Sequence, residues 1–113
     1  MDPNDKYAWC LKGLLLSRSL KHKAAIECFD KALKLDSTNV HAWTYKAKAL
    51  TAIQAWQEAE KCINNALKLD PDFEPAKKAQ KLILWTIKVK SKQYNQKLKH
   101  KSKKNNDIQS SLL

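Results

Sequence analysis

The chain has 113 residues, with one glycine, three prolines and 22 Lys+Arg against 11 Asp+Glu, a formal charge of +11. Abundant Ala, Leu and Lys with few turn formers predict one small helical domain and argue against a sheet. Three cysteines without a CxxC pair indicate neither a disulfide framework nor a zinc site, and no apolar run approaches membrane-spanning length.

In chain order, Met1-Asp2-Pro3-Asn4-Asp5 is a polar lead-in, unlike a signal peptide, and with free thiols it sets the expectation of a cytoplasmic protein. A first helix follows, with apolar residues at Ala8, Leu11 and Leu15 and at Trp9 and Leu16, a pattern suited to neighbours on more than one side. Ser17 to Lys23 interrupts it. Ala25, Ile26, Phe29, Ala32 and Leu33 then give a second, clearly amphipathic helix, closed by Asp36-Ser37-Thr38-Asn39. The same sentence is then written again. A shift of 34 residues lays Ala8-Trp9 on Ala42-Trp43, Leu16 on Leu50, Ala25 on Ala59, Cys28 on Cys62 and 32–36 on 66–70 without a gap. Residues 6–39 and 40–73 are therefore two copies of one helix-pair unit, which buries its apolar face by stacking on its neighbour. Cys28 and Cys62 hold one position in successive copies, too far apart for a bridge, and read as buried thiols.

A third copy begins and does not complete. Residues 74–100 are expected to form a capping helix whose stripe Ala76, Ala79, Ile83 and Ile87 packs back onto the second copy. Where the first copy has Trp9, Lys12 and Gly13, the third has Lys77, Gln80 and Lys81. On the other side of this helix, Leu82, Trp85 and Val89 form a strip with no following helix to cover it, a surface on which two copies can associate. Residues 101–113 are expected to be a disordered basic tail. Charge divides accordingly: 1–74 hold 11 Lys+Arg and 10 Asp+Glu, whereas 75–113 hold 11 Lys and only Asp107.

These residues resemble the tetratricopeptide repeat (TPR), whose pattern is W-x2-L-G-x2-Y, then A-x3-F, then P. The first copy gives Trp9-x2-Lys12-Gly13-x2-Leu16, then Ala25-x3-Phe29 and Ala32, with Ser37 in place of the proline. The second gives Trp43-x2-Lys46-Ala47-x2-Leu50, then Ala59-x3-Ile63, Ala66 and Pro71. The resemblance implies an all-α fold of five helices, a right-handed superhelical array of antiparallel helix pairs. It also implies that Trp9 and Trp43 are structural, and that first helices line a concave groove for a partner's peptide or helix. Carried over by position, the groove residues are Tyr7, Cys10, Leu11 and Leu14; Thr44, Tyr45 and Lys48; and Lys78, Leu82 and Trp85. Family members that bind chaperone tails clamp a terminal carboxylate with Lys, Asn and Arg. Here Cys10, Leu14, Tyr45, Pro75 and Ala79 occupy those places, which points to an apolar or aromatic ligand surface.

No phosphate loop, nucleophile–base spacing or metal-like pairing of His22, His41 or His100 is visible, so no catalysis, cofactor or metal is expected, and the histidines read as surface residues. The lysines at 88, 90, 92, 97, 99, 101, 103 and 104 have three readings. Lys88, Lys90, Lys92, Lys97, Lys99, Lys101, Lys103 and Lys104 form a solubilising extension, a phosphate-binding arm for nucleic acid, or a contact for an anionic membrane. The expected function is a non-enzymatic protein-binding scaffold; a nucleic-acid accessory role through the tail is the alternative.

Overall fold

The structure, a computed structural model, describes residues 2–98 in full and, beyond them, only the bounds of the last helix. The expected basic tail, 101–113, lies outside the described residues. Five helices follow one another: α1 (Lys6–Arg18), α2 (His22–Leu35), α3 (Val40–Ala52), α4 (Trp56–Leu69) and α5 (Glu74–Leu112). The expected all-α array is therefore what the sequence builds. Two compact units divide the chain, Met1–Ile83 and Leu84–Leu113, with the boundary inside α5.

Both first helices of the copies start and stop by the same local chemistry. Asp5 caps α1 by accepting from the Tyr7 and Ala8 amides at 3.0 Å, and Asn39 caps α3 by accepting from Ala42 N–H at 3.1 Å. At the other end, Lys21 N–H bonds to Leu16 C=O and Leu20 N–H to Ser17 C=O, the paired bonds of a Schellman stop. The second copy repeats it, Ala55 N–H to Leu50 C=O and Gln54 N–H to Thr51 C=O. Such a stop places one residue in the left-handed region, and here Leu20 (φ 63°) and Gln54 (φ 67°) occupy it instead of glycine. The chain then enters α2 and α4 directly, with no side-chain cap at Lys21 or Ala55.

Asp2, Asp36 and Asp70 each accept from the amide two residues on, at 2.9, 3.0 and 3.1 Å, so one Asx turn precedes α1, α3 and α5 alike. At the middle turn, the Thr38 hydroxyl, the Lys6 ammonium 2.9 Å away and the Thr38 amide hold the Asp36 carboxyl down at about 2. Trp9 and Trp43 lock onto these turns: their indole N–H groups donate to Pro3 C=O and Ser37 C=O, six residues back, at 3.0 and 2.9 Å. Lys77 takes the tryptophan's place in the third copy and reaches Asp72 at 3.7 Å instead.

The core lies between the helix pairs. Ala25, Phe29, Ala32 and Leu33 of α2, with Ala42, Ala47, Ala49 and Leu50 of α3, are buried, as are Ala59, Ile63 and Ala66 of α4. The expected stripe of α5 is buried at Ala76, Ala79 and Ile83; Ile87 belongs to the second unit and is half-buried there. Cys28 and Cys62 are buried free thiols. One histidine departs from expectation. His22 is half-buried with its Nδ1 shielded from solvent, because it opens α2 immediately after the tight stop of α1.

The closest approach within a pair is at Gly13. A Cβ there would meet Phe29 Cε1 at 2.6 Å and Cδ1 at 2.8 Å. At the equivalent positions the second copy has Ala47 with Ile63, one methyl more on one helix and a smaller side chain on the other. Gly13→Ala is expected to destabilise by about 1–3 kcal/mol through overpacking. Adding Phe29→Ile should recover a coupling of about 1 kcal/mol in a double-mutant cycle from urea midpoints; strictly additive losses would contradict the interlock. Leu20 is 78% exposed, so Leu20→Gly removes the left-handed strain with little packing loss. It should raise stability by about 0.5–1 kcal/mol in the same assay.

Candidate functional site: an apolar groove lined by α1, α3 and α5

The first unit carries two recesses along the inner helices. One, of about 250 Å³, is lined by Tyr7, Cys10, Leu11 and Leu14 of α1, with Asn39, His41 and Tyr45. The second, of about 480 Å³, is lined by Lys48 of α3 and by Glu74, Pro75, Lys78, Ala79, Leu82 and Ile83 of α5. Tyr45 and Lys48 are three residues apart on α3, hence on one face, and the Lys48 ammonium lies 5.9 Å from the Tyr45 ring centre. They join the two recesses into one run.

Eight of the ten expected groove residues line these recesses: Tyr7, Cys10, Leu11, Leu14, Tyr45, Lys48, Lys78 and Leu82. Tyr7, Leu11 and Leu82 are large apolar side chains left exposed there. Thr44 is a correction. It is 1% exposed, and its hydroxyl donates back to Val40 C=O at 2.9 Å, so it packs in the core and offers nothing to a ligand. Its short side chain is satisfied by its own helix, which lets it be buried without another polar partner. Trp85 lies in the second unit, where it is exposed.

Positional carry-over missed Asn39, His41 and Glu74, which come from the inter-repeat turns and the helix starts beside them. The ring of His41 bridges two others, meeting Phe73 edge-on at 4.9 Å and lying 6.3 Å from Tyr45, which in turn sits 6.0 Å from Phe29. A row of rings thus backs the groove and ties its wall to the core. Only the 34-residue shift, which places His41 on Tyr7, carried a hint of this.

The groove's electrostatics follow from a segregation along the chain. Neither α1 nor α3 contains an acidic residue, whereas α2 carries Glu27 and Asp30 and α4 carries Glu58 and Glu60. Cations on the inner helices are partly used internally: Lys46 pairs with Asp30 at 2.6 Å and Lys6 with Asp36. Lys48 and Lys78 stand at the groove with Glu74 as the acidic member of its lining. Burial pushes the Cys10 thiol up, which favours the neutral form where it lines the groove. Among the described residues no group of His, Cys, Asp and Glu could hold a metal ion, and no helix is long and apolar enough to cross a membrane.

Comparison with known proteins agrees with this geometry. Residues 7–39 match the family model described as tetratricopeptide repeat. No curated protein matches the sequence. Among solved structures, the first TPR domain of human RPAP3 is similar with a TM-score of 0.76 at 22% identity, covering 80% of this chain and 72% of that one. The first TPR of Spaghetti (RPAP3), solved with the HSP90 peptide SRMEEVD, gives 0.73 at 22% identity, covering 76% and 68%. The Arabidopsis OM64 TPR domain gives 0.72 at 22% identity, covering 75% and 70%. Residues 7–39 are thus a tetratricopeptide repeat, residues 40–73 restate its pattern in register, and the chain they build has the fold of the TPR family.

Proposed function

We propose that this protein is a non-enzymatic interaction module that holds a partner's peptide or helix in the groove by side-chain anchors. The observation that carries the reading is the apolar run over the two recesses, in which Tyr7, Leu11 and Leu82 are exposed and Tyr45 is half-buried. Spaghetti's first TPR binds an HSP90 peptide and the second TPR of human RPAP3 an HSP70 peptide, which supports a peptide ligand in general. The mode of holding differs. With Cys10, Leu14, Tyr45, Pro75 and Ala79 at the clamp positions, nothing at those places pairs with a chain-terminal carboxylate. Lys48 and Lys78 at the groove favour acidic residues beside the ligand's apolar anchors.

Peptide selection, calorimetry and thiol protection test this. Peptides selected from a random displayed library should carry apolar or aromatic anchors, and Tyr45→Ala or Leu82→Glu should weaken them by about tenfold or more in calorimetry. Blocking their C-terminus as an amide should change affinity little, and bound peptide should slow alkylation of Cys10. Dependence on a free C-terminus would overturn the reading.

A second reading rests on the charge of 75–113, which holds 11 lysines against one acid. Lys88, Lys90, Lys92 and Lys97 are exposed on α5; the lysines at 99, 101, 103 and 104 lie outside the described side chains. This segment supports sequence-blind contact with a phosphate backbone. Affinity for a random duplex should fall linearly on a log–log salt plot, and replacing these four lysines with Gln should flatten the slope by about three to four units. The same charge opposes pairing of two copies through the strip that includes Trp85.

A further inference from the structure

The inner helix of each copy has a second apolar face, which looks back toward the preceding helix pair. In the second copy that face is Ala42, Tyr45 and Ala49, and α2 covers it: Ala25, Phe29 and Ala49 form one buried cluster with Tyr45 packed on it, and Ala32, Leu33 and Ala42 another. In the third copy the equivalents Ala76, Ala79 and Ile83 are likewise buried. In the first copy the equivalents are Ala8, Leu11 and Leu15. Leu15 is 54% exposed, where Ala49 is 1% and Ile83 2% exposed. Nothing among the described residues covers it, although α1 is set in the same register as α3. The same Asx turn and the same indole-to-carbonyl bond precede both helices.

We propose that this face of α1, which adjoins the groove at Leu11 and extends away from it to Ala8 and Leu15, is a docking surface for an amphipathic helix of a partner protein with a small-residue stripe and an acidic flank. The α2–α3 interface supplies the template. Its covering helix reads Ala25-x3-Phe29-Asp30-x-Ala32-Leu33, the alanines allowing close approach and the ring filling the space beside the inner helix. Asp30 of that helix pairs with Lys46 at 2.6 Å, and Lys46 is the 34-residue equivalent of Lys12. Lys12 and Arg18 are exposed beside the open face, and α1 has no acid of its own, so the docked helix should place an acid where α2 has Asp30. A second copy of this chain does not fit. Its own small-residue helices, α2 and α4, are already buried on α3 and within the first unit, and its α5 brings lysines to a basic surface.

The probe is a synthetic peptide with the sequence of residues 21–36, held helical by a side-chain staple on its exposed face, titrated into the full-length isotope-labelled protein. Resonances of Ala8 and Leu15, which line neither recess, should shift with an affinity better than about 1 mM. Leu15→Glu should weaken binding by about tenfold or more while leaving the helical circular dichroism unchanged. Lys12→Glu should weaken it and be rescued by the peptide carrying Asp30→Lys. Failure to shift these resonances, shifts confined to Tyr45 and Leu82, or indifference to Leu15→Glu would overturn the proposal. So would a concentration-dependent dimer of the unliganded protein that Leu15→Glu dissolves, since the face would then belong to a second copy. Leu15 lines neither groove recess, so groove binding and face docking fail independently.

Discussion

Everything in the first unit depends on how closely two antiparallel helices can approach at one crossing. Gly13 provides that crossing in the first pair, because the Phe29 ring stands where its Cβ would be. A fully buried ring has few ways to move aside, so the contact fixes both the separation and the rotation of α1 against α2. Rotation matters more for function. It decides that Trp9 turns toward its turn carbonyl while Tyr7, Leu11 and Leu14 turn toward the groove. The second pair reaches the same arrangement with Ala47 and Ile63, trading volume from one helix to the other, and the groove wall continues onto α3.

What repeats is chiefly the way the chain turns corners. Three Asx turns, two Schellman stops and two indole-to-carbonyl locks use short, local interactions that tolerate different neighbours. They hold the helix register, leaving the faces free to vary. The array ends where those locks change: Lys77 replaces the tryptophan and finds Asp72, an exposed ion pair that contributes little and asks for no covering helix. The termination of the repeat is therefore written in the loss of an aromatic lock as much as in the gain of charge.

The fold was legible because a gapless 34-residue shift is a statement about packing: small residues return where helices cross, and large ones where they fill. The site was legible in part. Residues pointing into the groove from helix interiors, such as Leu11, Tyr45 and Leu82, follow from position alone. Thr44 did not, since its fate depends on a hydroxyl bond to Val40 that lets it be buried. Asn39, His41 and Glu74 did not either, because turn residues approach the groove only once α3 and α5 are stacked. His22 shows the same limit: a polar residue read as surface is half-buried because a left-handed stop brings α2 tightly back. Periodicity reports which face of a helix a residue occupies, and it is silent on which faces the neighbours leave open.

That distinction separates the two surfaces of α1. One face is open because a groove is where stacked helices diverge; the other is open because no described helix stacks on it. Their chemistry differs in the same sense. The groove offers rings and branched side chains around recesses, which reward a ligand that inserts side chains. The leading face offers Ala8 and Leu15 on a regular helix, which rewards a second helix with small residues at the crossing. Yet both draw on helices without a single acid, α1 for the leading face and α1 with α3 for most of the groove, while the compensating carboxylates sit in the turns, at Asp2, Asp5, Asp36, Asp70 and Asp72. The near-neutral body is thus neutral only as a sum. Its inner helices are cationic, so ligands at either surface share a preference for acidic flanks while needing different apolar shapes. Shape then becomes what distinguishes one partner from another, and charge what brings both to the same side of the protein.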